Sequence, residues 1–181
     1  EDMRPLILTA CLDETSQAFF NEKRKTFFPP ERNFLDAHLT LFHALPAQEF
    51  STIDNVLNTI ASQHSVLHGR ADDIFFMGFG SAYHIDCPAL NDMHKTLSNL
   101  WHDWLTRQDS QTFKPHVTFQ NKVDPNLAKK TFHECRALFE PFDVQIRGLD
   151  LWHYDNGPWT HISKYNFAML SGRFFKICLM A

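Results

Sequence analysis

Two four-residue runs, HLTL at 38–41 and HVTF at 116–119, set the narrowest limits on how this chain folds. Each alternates polar and apolar residues, the period of a β-strand whose two faces see different surroundings. In the first run Leu39 and Leu41 share one face, with His38 and Thr40 on the other. In the second, Val117 and Phe119 oppose His116 and Thr118. Both strands therefore need a core beneath them and an open, polar side above. A His-x-Thr triplet alone is weak, since about one is expected by chance in a chain of this composition. The chain carries an internal control in His94 and Thr96, where charged Lys95 intervenes and the flanking PALNDMHKTLSNLW has helical spacing. Requiring apolar second and fourth positions removes that copy and keeps the other two.

Around these runs, strands and helices alternate. RPLILTACL (4–12) is an apolar run of strand length, and DETSQAFFNEKRKTFF (13–28) reads as a helix capped by Asp13. Paired prolines at 29–30 stop it. A helix is expected near 49–64, and one or two strands over 66–87 bent at Gly78 and Gly80 beside Phe79. Residues from Pro88 to Arg107 read as helix, as do those from Asp124 or Pro125 to Phe139. FDVQIRGLDLWHY follows as strand, Asp155-Asn156-Gly157-Pro158 as a turn, and the tail after Trp159 as β-rich. Each His-Thr strand follows a helix and a loop and precedes another helix, so the chain has the outline of two related halves. Strands joined without an intervening helix point to α+β with antiparallel or mixed sheets.

Composition narrows the partners. The chain has 181 residues, is 44% hydrophobic and holds 18 Phe, which suits a single domain with a sizeable core. A net charge of −4 with no basic block argues against long duplex nucleic acid, and leaves a nucleotide or an RNA end as partner. Cys11, Cys87, Cys135 and Cys178 form no CxxC pair and read as reduced core residues. Acidic residues stand where a signal peptide would be basic, and no apolar run is long enough to span a membrane, so the expected location is the cytoplasm. The chain starts at Glu1 without an initiating Met, so its natural beginning is expected to lie upstream.

In order and spacing, the paired HLTL and HVTF motifs, about eighty residues apart, resemble the 2H phosphoesterase superfamily. The similarity is to the bacterial 2′-5′ RNA ligase-like (LigT-like) proteins and the cyclic nucleotide phosphodiesterases, and FKPHVTF and LDLWHYDNGPW add to it. The resemblance implies a two-lobed, pseudo-symmetric α+β fold, its antiparallel or mixed sheets facing a central cleft with helices outside. It further implies cleavage, or reversible formation, of phosphodiesters at a 2′ position of RNA or a nucleotide. Gln120-Asn121 departs from relatives that carry a basic residue there.

The residue types suit that chemistry on their own terms. Opening a 2′,3′-cyclic phosphate needs a base for water and an acid for the leaving ribose oxygen, and two histidines titrating near neutrality supply both. The Thr40 and Thr118 hydroxyls can donate to the non-bridging oxygens. The catalytic set is therefore His38, Thr40, His116 and Thr118, with His116 assigned as base and His38 as acid, and with no metal or other cofactor. Alternation puts Lys114 and Gln120 on the face of His116, which makes Lys114 a candidate phosphate contact, against a solvated lysine at the strand end. Phe79, Tyr83 and Trp159 are the aromatic candidates for substrate binding, against a packing role for each. His64 and His68 lack a third metal ligand, and His161 with Ser163 imitates the motif but has Lys164 at the apolar position. Hydrolysis of a 2′,3′-cyclic phosphate by a monomer is the leading reading. The alternatives are 2′-5′ ligation or phosphodiester cleavage, and a nucleotide- or RNA-binding module without significant turnover.

Overall fold

A computed structural model describes residues 2–168. In chain order its strands are β1 (Leu6–Leu12), β2 (Thr40–Leu45), β3 (Leu67–Phe76), β4 (Ser81–Asp86), β5 (His116–Gln120), β6 (Phe142–Tyr154) and β7 (Trp159–Asn166). The helices are α1 (Glu14–Phe27), α2 (Phe50–Gln63), α3 (Pro88–Leu100) and α4 (Pro125–Leu138). Capping explains where several of them start. The Asp13 carboxylate accepts from the Ser16 amide at 3.1 Å, and Asp124 accepts from the Asn126 amide at 2.9 Å ahead of Pro125. The helical reading to Arg107 overshoots. α3 stops at Leu100 because Trp101 turns inward to a site only 2% exposed, and 102–104 form a single 3₁₀ turn.

The strand order is β2-β1-β6-β3-β4-β5, with β7 also on β6, and every pairing is antiparallel. No parallel pair occurs among the described residues, so the mixed alternative is set aside. Long β6 joins the two lobes. Its 146–153 stretch pairs β1 and its 142–146 stretch pairs β3, while β7 runs along 148–154. The first lobe contains β1-α1-β2 and the second β4-α3-β5, each an antiparallel strand pair with a helix between. The two motif strands, β2 and β5, occupy corresponding places as the outer strands of that order.

Helices cover the sheet away from those polar sides. α1 packs on β5, α4 on β3 and β4, α2 on β7 and β6, and α3 on β3. The abundance of Phe is explained by what lies beneath: Phe20, Phe42 and Phe119 are fully buried, and Tyr83 packs against Phe20 and Phe119 with centroids at 5.3 and 4.9 Å. Burying each such ring stabilises the fold by about 2–3 kcal/mol. Gly80 permits the β3–β4 turn to approach β5, since a Cβ there would lie 1.8 Å from the Gln120 carbonyl oxygen. Cys11, Cys87 and Cys135 are free thiols, while Cys178 and the tail beyond 168 lie outside the described residues. Among the described residues no helix is long and apolar enough to cross a membrane.

Candidate active site

His38 sits just before β2, on an extended segment that continues the pairing through the Ala10 amide and the Leu39 carbonyl at 2.9 Å. Alternation holds as expected: Leu39 and Leu41 are buried, while His38 and Thr40 are half-buried. On β5, Val117 and Phe119 are buried beneath His116 and Thr118. The two imidazoles are anchored in the same way. His38 Nδ1 lies 2.8 Å from the Asp36 carbonyl oxygen, and His116 Nδ1 lies 2.7 Å from that of Lys114. A carbonyl can only accept, so Nδ1 carries the proton in both rings and Nε2 is left for other work. Neither Nε2 nor either Thr40 or Thr118 hydroxyl has a protein partner among the described residues.

Both motif strands also carry the same irregularity. Thr9 opposes Thr40 but Leu8 opposes Phe42, and Ala82 opposes Thr118 but Ser81 opposes Gln120. One residue, Leu41 or Phe119, is thus bulged directly after each threonine, and the side chains beyond it change faces. This corrects the placement of Gln120 beside His116. Gln120 is instead buried against α4, donating to the Thr131 hydroxyl at 3.0 Å.

Burial is the main cause lowering the His38 pKa, to about 4, and the charges of Arg24, His43 and His116 act in the same direction. His116 is lowered too, by burial first and then by His43, Lys114 and His84, against the Lys114 carbonyl that favours its charged form. His116 is thus among the charges that act on His38. Two ties hold the segments that bear them. Buried Arg24 of α1 donates to the Thr118 carbonyl at 3.3 Å, and buried Asp109, on the loop leading into β5, accepts from the His43 and Ala44 amides of β2 at 2.9 and 3.0 Å.

A cavity of about 770 Å³ opens beside His38. Part of its wall is a row across the sheet, since Thr9 opposes Asp150 and Asp150 opposes Lys164, with Thr40 on the far side of Thr9. Lys164 Nζ lies 3.1 Å from Asp150, and His161 Nε2 lies 2.9 Å from the same carboxylate. Trp152 donates its indole N–H to the Thr9 hydroxyl at 2.9 Å. Trp159 also lines this cavity, its ring 4.6 Å from that of His38. Lys114 is exposed near His116: its ammonium lies 4.2 Å from the Phe75 centroid, and Phe75 meets the His116 ring at 5.7 Å.

One aromatic candidate is corrected. Tyr83 opposes Val117, on the core face of β5, and is 2% exposed, so it packs and does not line the cleft. Phe79 is 57% exposed on the β3–β4 turn, which adjoins the Gln120 end of β5, about 13 Å of strand from His116. Sequence reasoning passed over His43, Asp109, Arg24 and Asp150, and discounted His161 and Lys164. The only sign was the alternation of Asp150 with Trp152, because the opposing strands are distant in sequence. Among the described residues no group of three His, Cys, Asp or Glu is placed to hold a metal ion. His94 is set in the core on α3, stacked between Phe42 and Phe113 at 4.6 and 3.9 Å. His94→Ala should therefore lower stability by about 2 kcal/mol, measured by urea unfolding, and leave the activity of the folded fraction unchanged.

With that geometry in view, comparison with known proteins is decisive on family. The 2′-5′ RNA ligase superfamily model matches residues 12–158. The chain belongs to this superfamily, within the 2H phosphoesterases. TT0787 of Thermus thermophilus shares its fold at a TM-score of 0.66 and 14% identity, over 92% of this chain and 99% of that one. Escherichia coli LigT complexed with 3′-AMP matches at 0.62 and 14%, over 93% and 100%. A structure described as a phosphoesterase matches at 0.60 and 15%, over 93% and 100%. At these identities the likeness speaks to fold. No curated protein matches the sequence.

Proposed function

We propose that this 2H phosphoesterase hydrolyses 2′,3′-cyclic phosphates of nucleotides or RNA ends, without a metal, by acid–base catalysis between His38 and His116. The supporting observation is the repeated arrangement of the two motifs. Each imidazole is fixed through Nδ1 to the carbonyl two residues upstream, with an unpartnered threonine hydroxyl two residues downstream. LigT structures of the same fold are complexes with 3′-AMP, NADP+ and ATP, which agrees with a nucleotide as occupant.

We take the acid and base in the opposite order to the one assigned from sequence. Burial lowers the His38 pKa to about 4, so this ring is neutral at pH 7, as the base of the reaction must be. Its Nε2 takes a proton from water as the oxygen bonds to phosphorus. The bond from phosphorus to the 3′ oxygen breaks, and that oxygen takes the Nε2 proton of His116. The substrate's negative charge favours the protonated imidazole that this step requires. Thr40 and Thr118 donate to the non-bridging oxygens as charge accumulates. The product is the 2′-phosphate; with a 5′-hydroxyl in place of water the same ring opening would form a 2′-5′ linkage, and its reverse, with the 3′-hydroxyl attacking and the 5′ oxygen leaving, would cleave one. Incubation with 2′,3′-cyclic nucleotides, cyclic-phosphate RNA ends and 2′-5′ oligonucleotides, read by phosphorus NMR, tests this. A 2′-phosphate formed equally well in EDTA is expected. A 3′-phosphate, or activity lost to EDTA and restored by zinc or manganese, would overturn it.

A further inference from the structure

A histidine outside both motifs, His43, lies on the first motif strand itself, three residues beyond Thr40. β2 slips twice against β1, once at Leu41 and again at His43–Ala44, so that Phe42 is buried opposite Leu8 and Leu45 opposite Leu6, while His43 between them is exposed, away from the core. Its side chain is 43% exposed, whereas the carboxylate it meets, Asp109, is almost fully buried. His43 Nδ1 lies 3.0 Å from Asp109 Oδ1, and the His43 and Ala44 amides also donate to that carboxylate. Since an ionised carboxylate can only accept, Nδ1 bears the proton, and Nε2 is directed away from the contact. Asp109 stays ionised despite its burial because these donors, His43 first, lower its pKa. The ring is thus held by the same logic as His38 and His116, but by a negative charge in place of a carbonyl. Its charge reaches both: His43 is among the causes that lower each motif histidine.

We propose that His43 is a third imidazole of the site, positioned by Asp109 with its Nε2 edge toward the substrate phosphate, so that in the imidazolium form Nε2 donates to a non-bridging oxygen. This rests on the phosphoesterase reading for its substrate, and assigns part of the phosphate recognition that a cleft without a basic residue at Asn121 would otherwise lack. Held by a buried carboxylate, this ring is fixed in place, whereas Lys114 is exposed. The groups facing His43 are Asp109 from the loop before β5, His38 from the segment before β2, and His116 from β5 itself.

The competing account makes Asp109 only a cap for the free edge of β2, with His43 an incidental donor. His43→Gln separates the two, because its amide can still donate to Asp109. Proton NMR titration of the ligand-free protein should show the pKa values of both His38 and His116 rising in H43Q, as a positive charge is removed between them. Inorganic phosphate and adenosine 2′-monophosphate should each bind H43Q about 10-fold more weakly at pH 6, a charge-assisted hydrogen bond being lost. Unchanged pKa values, or unchanged phosphate affinity at pH 6, would overturn the assignment. Shifted pKa values with weakened phosphate binding support it even if no cyclic nucleotide is turned over, an outcome that would count against the hydrolase reading alone.

Discussion

Ala at His38 or at His116 should reduce turnover of a 2′,3′-cyclic nucleotide by at least ~10²-fold, the usual scale for a positioned acid or base. Both rings lie on the side of their strands away from the core, with Leu39 and Val117 bearing the packing on the other. The loss should therefore appear in the catalytic rate of protein that is still folded, as near-ultraviolet circular dichroism can establish. The double variant should lose much less than the product of the single losses, because an acid without its base has little left to contribute. Thr40→Ala and Thr118→Ala should each lose less than either histidine, since a donor to a non-bridging oxygen remains on the opposite strand. Multiplicative losses in the double variant would mean that the two strands do not serve one reaction.

Acid should destabilise the fold before the carboxylates begin to titrate. His38 has a folded pKa of about 4 against an ordinary value of 6.5, so between those values the unfolded chain holds more protons than the folded one. Its contribution is intact above pH 6.5 and is lost as pH falls towards 4, a change of about 3 kcal/mol if the whole shift is expressed. His116 and His94 are lowered as well and add in the same sense. Asp13 and Asp109 have depressed pKa values, so their stabilisation is lost only below the usual carboxylate range. Urea unfolding from pH 7 to 4.5 should show a steep decline in the wild-type protein and a shallower one in His38→Gln. Equal slopes would show that the His38 ring is not desolvated in the folded state.

Much of this was written locally. Asp13 and Asp124 are caps that sequence alone identifies, the glycines at 78 and 80 mark a real turn, and the alternation in HLTL and HVTF does put both His-Thr pairs opposite a buried face. The bulges were not legible, because a bulge is a mismatch between two strands and leaves no period in either. Such mismatches moved Gln120 into the core and left His43 exposed beyond buried Phe42. Tyr83 was misplaced for a related reason: its face depends on pairing with Val117, more than thirty residues away. The far wall of the cavity was equally hidden, since Thr9, Asp150 and Lys164 become one row only when β1, β6 and β7 align. His161 and Lys164 failed a motif test that had no bearing on a wall built by register.

The central claim, that His38 and His116 act as a base and an acid on one phosphate, is tested most directly by the pH dependence of turnover of a 2′,3′-cyclic nucleotide. In the free protein both pKa values are depressed, so kcat/KM should follow a bell with its maximum below pH 6.5. Bound phosphate favours the protonated rings, so the bell for kcat should lie at higher pH. His38→Ala should abolish the acidic limb and His116→Ala the alkaline one in whatever activity remains. Two intact limbs in the double variant would contradict the account.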